Sequence, residues 1–343
     1  MNVKKSLFDL FQQVTKSYPD AKIKTAVPDT DDGESYVEVS FGELYTMATK
    51  LSFQLREFGI EKGDKVAIIG KPHPRWAAIF FAVQQLGAIC VPIDVGLTAQ
   101  EVRRILHESE AKLVAVQGDR QEVVASNLSL LPRLEGGLVY TGEAGDHFLQ
   151  WDNFVGEQSL EKNPSSDPDE TATIMYTSGT TGDAKGVMLT HRNLISNLID
   201  MDKMLDIDKS DKIASILPWH HIYGLTTHLL LPLNFGASIL YTHDYRNLPQ
   251  ILKSNKATFL LGVPKLFNAI YKEITHEINS SWLGRWLYKI NPRLLKWKVK
   301  RDFAGSQFRF AVSGGAPLDP ETAKGFRELG LAILEGYGLT ETS

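Results

Sequence analysis

Lys65–Ile93 reads KVAIIGKPHPRWAAIFFAVQQLGAICVPI. The run Lys65–Gly70 is short, apolar and rich in β-branched residues, which is the pattern of a strand buried on both faces. Pro74–Gly87 follows with helical character, and Ala88–Ile93 returns to a buried strand. Thr98–Ala111 then reads as a helix, with Thr98 as N-cap and Glu101 three residues on as its capping-box partner. Lys112–Gln117 is a further strand. Apolar strands separated by helices build βαβ units, and βαβ units build a mainly parallel sheet.

The same order recurs later in the chain. Leu86–Val91 (LGAICV) resembles Phe235–Leu240 (FGASIL). A loop, a helix (Glu101–Ser109; Leu248–Ser254) and a strand (Leu113–Val116; Thr258–Gly262) follow each. The repeat predicts an α/β fold of two duplicated βαβ lobes, 1–165 and 166–343, with mainly parallel sheets flanked by helices. Two βαβ units also look alike without common descent; the shared Gly-Ala step favours duplication. The polar segment Glu161–Glu170, with two prolines, reads as the linker between lobes.

Composition narrows the class. The 343 residues carry 37 basic and 41 acidic side chains, a net charge of −4. That balance gives no global attraction for nucleic acid. The one cysteine, Cys90, lies in an apolar strand; it excludes an internal disulfide framework and reads as a core thiol. No apolar stretch is long enough to span a membrane, and the N-terminus lacks a secretory pattern, so a cytoplasmic location is expected.

The segment richest in chemistry is TIMYTSGTTGDAKGVMLTHRNLISN, residues 173–197. Thr173–Tyr176 and Val187–Leu189 read as strands, and Thr190 caps a helix over His191–Leu205. Between the strands, Thr177–Gly186 holds four hydroxyls, three glycines and one lysine. Glycines let backbone N–H groups turn toward a ligand, hydroxyls add donors, and Lys185 adds a mobile positive charge; together they suit a polyphosphate. The spacing is not that of a Walker loop, since Ala184 precedes Lys185 and Gly186 follows it. It is not a dinucleotide fingerprint either.

Tyr176–Val187 (YTSGTTGDAKGV) resembles the phosphate-binding signature of the adenylate-forming (AMP-binding) superfamily, which includes acyl-CoA synthetases, firefly-type luciferases and peptide-synthetase adenylation domains. The family usually has proline where this chain has Ala184; alanine should loosen the loop modestly. Further stretches match in the family's order. Leu217–Gly224 (LPWHHIYG) resembles the second signature, so Trp219, His220, His221, Tyr223 and Gly224 are expected at the acyl pocket, with His221 the matching histidine. Gly262–Lys265 (GVPK) is similar to a Val-Pro turn that opens a helix.

Two loops are expected at the nucleotide. Ser313–Leu318 (SGGAPL) follows the strand Phe308–Val312, and the resemblance implies that Gly314, Gly315, Ala316 and Pro317 wall the adenine. Gly336–Glu341 (GYGLTE) resembles the family's other diagnostic motif. There Gly336, Tyr337 and Gly338 are expected at the adenine, with the Tyr337 ring able to stack. Thr340 can donate to the α-phosphate. Glu341 beside a triphosphate would be repelled unless a cation intervened, which implies Mg2+.

The resemblance implies an acid–thiol ligase reaction in two steps. A carboxylate attacks ATP to give an acyl adenylate and pyrophosphate; coenzyme A then displaces AMP. Thr177, Ser178, Gly179, Thr180, Thr181, Gly182 and Lys185 would hold the phosphates, and Lys185, Thr340 and Glu341 would form the catalytic set. The phrases of residues 173–197, RFAVSGGAPLDPE and EGYGLTETS are most similar to the long-chain fatty-acyl-CoA synthetase branch, so the expected acid is a long-chain fatty acid. Acyl-carrier-protein ligases of the same branch remain an alternative. The sequence ends just past Glu341, where family members continue into a small C-terminal domain. An incomplete fragment covering the N-terminal part is therefore expected; a truncated nucleotide- or acyl-binding module without turnover is the other reading.

Residues 281–301 stand apart. They hold seven basic and no acidic side chains and three of the six tryptophans, Trp282, Trp286 and Trp297. Leu283, Trp286, Leu287, Ile290 and Leu294 follow helical spacing, with Asn279 or Ser280 as cap and a kink expected at Pro292. Such a helix suits peripheral contact with the inner membrane surface. It would equally suit a helix packed on the lobe with a solvated basic face.

Overall fold

In the computed structural model, residues 5–28, 34–161, 167–177, 185–282, 286 and 290–342 are described. Fourteen strands occur among them: β1 (Lys22–Pro28), β2 (Glu34–Ser40), β3 (Lys65–Ile69), β4 (Ile89–Ile93), β5 (Ala111–Gln117), β6 (Gly136–Thr141), β7 (Leu149–Gln150), β8 (Thr171–Thr177), β9 (Lys185–Thr190), β10 (Lys212–Ser215), β11 (Ser238–Tyr241), β12 (Phe259–Gly262), β13 (Phe310–Ser313) and β14 (Ile333–Glu335). They form two seven-stranded sheets. One runs β7-β6-β5-β3-β4-β8-β9, the other β14-β13-β12-β10-β11-β1-β2.

The orders are the same when the sheets are laid side by side. Each has five parallel strands followed by a two-stranded antiparallel edge, β8–β9 in one and β1–β2 in the other. Both edges bond to their sheet in parallel, β8 to β4 and β1 to β11. The duplication expected from the Gly-Ala repeat is thus present as topology.

The sheets do not, however, divide the chain at residue 165. Each edge hairpin precedes one run of βαβ units and joins the sheet of the other run. A hairpin has no pairing preference of its own for the strands that follow it, and β1 finds its register on β11 more than 200 residues on, with Ile23 opposite Ile239. The seam is therefore an exchange of hairpins that a composition shift cannot reveal.

Side-chain alternation sorts each parallel strand between two cores. Val66 and Ile68 of β3 point into a central core; Ala67 and Ile69 point into an outer one. In the other sheet, Ile213, Phe259 and Leu261 face the central core while Ala214 and Leu260 face a second outer core. The central core is filled by the helices Leu7–Ser17, Phe41–Phe58, Pro74–Gln85 and His191–Leu205. The result is five layers, with helices between the sheets and on both outer faces.

Pro74–Gln85 is the middle of that sandwich. His73 caps it, its Nδ1 accepting from the Arg75 amide at 3.0 Å, and Pro74 takes the first-turn position where a missing N–H costs nothing. Every residue from Trp76 to Gln85 is buried. Its two buried glutamines donate from Nε2 to backbone carbonyls, Gln84 to Ala172 and Gln85 to Leu160, both at 3.0 Å. Rings cross the layer: Phe11 stacks on Phe81 with centroids 3.9 Å apart, and Trp76 meets Trp219 edge-on at 5.4 Å. Cys90 is fully buried in this core, as its strand context predicts.

Local signals hold where a side chain closes them. Thr98 and Glu101 form the expected capping box, and Thr190 forms another with Asn193. The region after residue 279 differs from expectation. Asn279 and Ser280 do not begin a helix; they end the helix Pro264–Ser280. Pro292 is no kink but the first residue of the helix Pro292–Val299, which Asn291 caps by accepting from the Leu294 amide at 3.2 Å. Proline lacks the N–H that an interior turn needs and starts a helix at no cost. Among the described residues, no helix is long and apolar enough to cross a membrane.

Candidate functional site

Parallel strands deliver their following loops to one edge of the sheet, at the carboxyl ends. After β10 comes Leu217–Gly224, after β12 Val263–Pro264, after β13 Gly314–Leu318, and after β14 Gly336–Thr342. Backbone bonds lace these loops together. The Gly314 amide donates to Gly262 O at 3.1 Å, and the Gly336 amide donates to Ser313 O at 2.8 Å. The expected adenine residues on two separate loops are therefore brought side by side. Gly315 has φ +82°, a conformation that a side chain resists. Gly315, Ala316 and Pro317 are exposed, as are Gly336 and Gly338, and the Tyr337 ring is 94 % exposed.

The histidine-bearing loop is tied to the same edge. The Tyr223 hydroxyl donates to Val312 O at 3.2 Å, and burial pushes that hydroxyl's pKa far up, so it stays a donor. Gly224 is required by a close approach, since a Cβ there would lie 2.0 Å from Pro218 O. Trp219 is fully buried. Its indole N–H donates to His228 Nδ1 at 3.2 Å, and His228 Nε2 in turn reaches Leu240 O at 3.0 Å. With Nδ1 accepting, His228 is neutral and donates from Nε2; burial holds its pKa down at about 4. Trp219 is thus a rigid wall behind the loop.

His220 and His221 sit at the front of it. His221 is exposed, whereas His220 is only 7 % exposed. Burial first and the neighbouring His221 second lower the His220 pKa to about 4, against the opposing pull of Asp94. His220 is accordingly neutral at pH 7. Its Nε2 lies 3.4 Å from Asp94 Oδ1, and its buried Nδ1 has no hydrogen-bond partner. Asp94, His220 and His221 are the one group of three metal-capable side chains found among the described residues. Asp94 was not anticipated from sequence. Its signal was position: it follows β4 directly, at the carboxyl end of a buried parallel strand.

The expected phosphate loop begins and ends in the hairpin β8–β9. Thr177 and Lys185 are its last cross-strand pair, Thr177 half-buried and Lys185 exposed. Ser178, Gly179, Thr180, Thr181 and Gly182 lie outside the described residues. The turn Thr340–Thr342 approaches β9 to within 8 Å between Cα atoms. Thr342 fixes that turn by accepting from the Leu339 amide at 3.3 Å and donating to Leu339 O at 3.0 Å. Thr340 is half-buried and Glu341 is exposed. An exposed carboxylate such as Glu341 would suit Mg2+, which keeps several waters and takes its other ligands from substrate phosphates.

The family model described as AMP-binding enzyme matches residues 11–343. Among curated proteins, the chain is 29% identical over 372 residues to long chain acyl-CoA synthetase 6, peroxisomal, of Arabidopsis thaliana, covering 98% of this chain and 53% of that protein. It is 28% identical to the long-chain-fatty-acid–CoA ligase FadD15 of Mycobacterium bovis, covering 90% of this chain and 56% of the relative. The chain thus spans about half the length of the curated relatives it matches. Among solved structures, the anthranilate CoA ligase AuaEII with anthranoyl-AMP superposes with a TM-score of 0.81 at 20% identity, covering 99% of this chain and 60% of that one. A long-chain-fatty-acid-CoA ligase (FadD1) from Archaeoglobus fulgidus gives 0.81 at 22% identity, over 98% of this chain and 65% of that one. The α/β fold is that of the N-terminal domain of adenylate-forming enzymes.

Proposed function

The chain belongs to the AMP-binding enzyme family, and from that premise we propose that its protein is an acid–thiol ligase that activates a long-chain fatty acid with ATP and transfers the acyl group to coenzyme A. In the first step a carboxylate oxygen attacks the α-phosphorus, the bond to the bridging oxygen breaks, and pyrophosphate leaves. In the second, the coenzyme A thiolate attacks the acyl carbonyl and AMP leaves. Neither step needs a side-chain nucleophile; both need positioning and charge neutralisation.

The observation that carries this reading is the approach of the Thr340–Thr342 turn to β9, the strand that begins at Lys185. It supports a phosphate site assembled from both sheets. Thr177, Ser178, Gly179, Thr180, Thr181, Gly182 and Lys185 hold the β- and γ-phosphates. Thr340 bonds the α-phosphate and Glu341 holds Mg2+, which neutralises phosphate charge when bound. Gly314, Gly315, Ala316 and Pro317, with Gly336, Tyr337 and Gly338, take the adenine. Trp219, His220, His221, Tyr223 and Gly224 shape the acyl pocket, where neutral His220 avoids a buried charge beside an apolar chain.

ATP–pyrophosphate exchange driven by fatty acids tests the first step. Glu341→Ala and Lys185→Ala are each expected to lower exchange by about a hundredfold or more, the loss typical of removing one preorganised charge from a transition state. Both side chains are exposed, so folding should not change. Unchanged exchange in both variants would remove the phosphate-site assignment.

A further inference from the structure

His220 is a buried imidazole with no hydrogen bond on either ring nitrogen. Its Nδ1 has no partner, and its Nε2 faces only Asp94 Oδ1, at 3.4 Å. That separation is longer than a well-formed N–H···O bond, which closes to about 3.2 Å or less. Buried polar side chains are nearly always paired, and one that is not calls for a bound group to account for it.

The same 3.4 Å is the spacing of two donor atoms on one tetrahedral ion. Metal–nitrogen and metal–oxygen bonds of about 2.1 Å that meet at the tetrahedral angle hold their donors about 3.4 Å apart. A third donor stands beside them. The chain bends after Pro218, whose carbonyl accepts the His221 amide at 3.5 Å, so two successive side chains meet where in a strand they would point apart. The His220 and His221 ring centroids are 4.4 Å from each other. One ligand atom from each of Asp94, His220 and His221 lies within 4.8 Å of the other two. The Gly96 amide donates to Asp94 Oδ1 at 2.8 Å, which orients the carboxylate and leaves it further lone pairs. His221 is exposed and Asp94 partly so, with His220 behind them, so an ion reaches the three from solvent and keeps an open position toward it.

Two imidazoles and one carboxylate also select the ion. Magnesium and calcium take oxygen donors, whereas imidazole nitrogen favours zinc and its neighbours in the first transition row. Three protein ligands with a fourth position open is an arrangement zinc adopts readily. We propose that Asp94, His220 and His221 form a zinc-binding site. Asp94 follows β4 of one sheet and the histidines follow β10 of the other, so the ion ties the two sheets together at their carboxyl ends. Two of these residues are also assigned to the acyl pocket, but zinc binding is read without any substrate, so either assignment can fail alone.

Calorimetric titration of zinc chloride into the untagged, metal-stripped protein tests the site. One zinc per chain is expected, and excess magnesium should not displace it. Cobalt in its place should give the visible bands of a four-coordinate ion with nitrogen and oxygen donors. Asp94→Asn and His221→Ala should each weaken zinc by about a hundredfold, the upper end of what even an outer-shell partner contributes. Both side chains are open to solvent, and asparagine still accepts the Gly96 amide, so the melting temperature without zinc should stay that of the parent. Zinc should raise the melting temperature of the parent and not of the variants, because an ion that binds only the folded chain stabilises it. The titration of the unaltered protein needs no variant to fold. No heat from zinc, a cobalt spectrum like that of the hydrated ion, displacement by magnesium, or variants that bind zinc like the parent would overturn the proposal.

Discussion

The Tyr223 ring occupies the space that a side chain on residue 314 would need. A Cβ on Gly314 would stand 2.7 Å from Tyr223 Cζ, while the same ring's hydroxyl bonds Val312 O on the strand just before. The histidine-bearing loop and the glycine loop after β13 are therefore locked by one aromatic ring. Gly314→Ala should force that ring away and break its bond. Overpacking and a lost hydrogen bond together are worth about 1–3 kcal/mol. If the two loops serve the acid and the nucleotide, KM should rise for both substrates. Because the obstruction is one side chain, adding Gly314→Ala to a Tyr223→Ala protein should cost far less than adding it to the parent. A double-mutant cycle by urea denaturation measures this, and strictly additive effects would refute the lock.

Cys90 should be inert in the folded protein. It is fully buried in the central core, and burial pushes its thiol well above the ordinary range, so almost no thiolate forms at neutral pH. A chromogenic disulfide reagent should titrate no thiol in native buffer and one per chain in denaturant. The native labelling rate should follow the opening of the layer between the sheets. Rapid labelling under native conditions would mean that this layer opens readily.

Much of the layout was legible because local chemistry and global fold agree. The strands at Lys65–Ile69 and Ile89–Ile93 are apolar on both faces since each divides its side chains between two cores, and that continuous run is visible in sequence. The boxes at Thr98 and Thr190 were visible because capping is a contact over three residues. The hairpin exchange was not, because Ile23 pairs with Ile239 and nothing local records it. Asp94 escaped for the same reason: it meets His220 only once β4 and the loop after β10 face each other. Asn291 was overlooked as a cap because Pro292 reads as a breaker in a periodic stretch, although its missing N–H equally marks a start. The glycine-rich signature named a family from residue types alone, before any geometry.

Histidines held neutral by burial, His73, His191, His220 and His228, should make the protein acid-sensitive above the range where carboxylates titrate, and His191 and His228 each accept a hydrogen bond that protonation would break. His191 is 1 % exposed and accepts the Leu7 amide on Nδ1 at 3.2 Å; His228 is fully buried and accepts the Trp219 indole. Both must be neutral to accept. Burial is the main cause that lowers each pKa from 6.5 to about 4; Glu170 and Asp9 pull His191 back only in part, as backbone carbonyls do for His228. In the unfolded chain both rings titrate near 6.5. Between pH 6.5 and 4 the unfolded state therefore binds more protons, and stability must fall as pH falls. The stability is fully present above pH 6.5, and each histidine withdraws on the order of 3 kcal/mol by the time pH reaches 4. Urea melts from pH 7.5 to 4 should show this decline, with the steepest slope in that window. His191→Asn keeps an acceptor for the Leu7 amide and cannot titrate. It should reduce the slope by about one proton's worth, near 1.4 kcal/mol per pH unit at the steepest point. A parent protein equally stable at pH 4.5 and pH 7, or an Asn variant with an unchanged slope, would show that these rings are not held neutral by the fold.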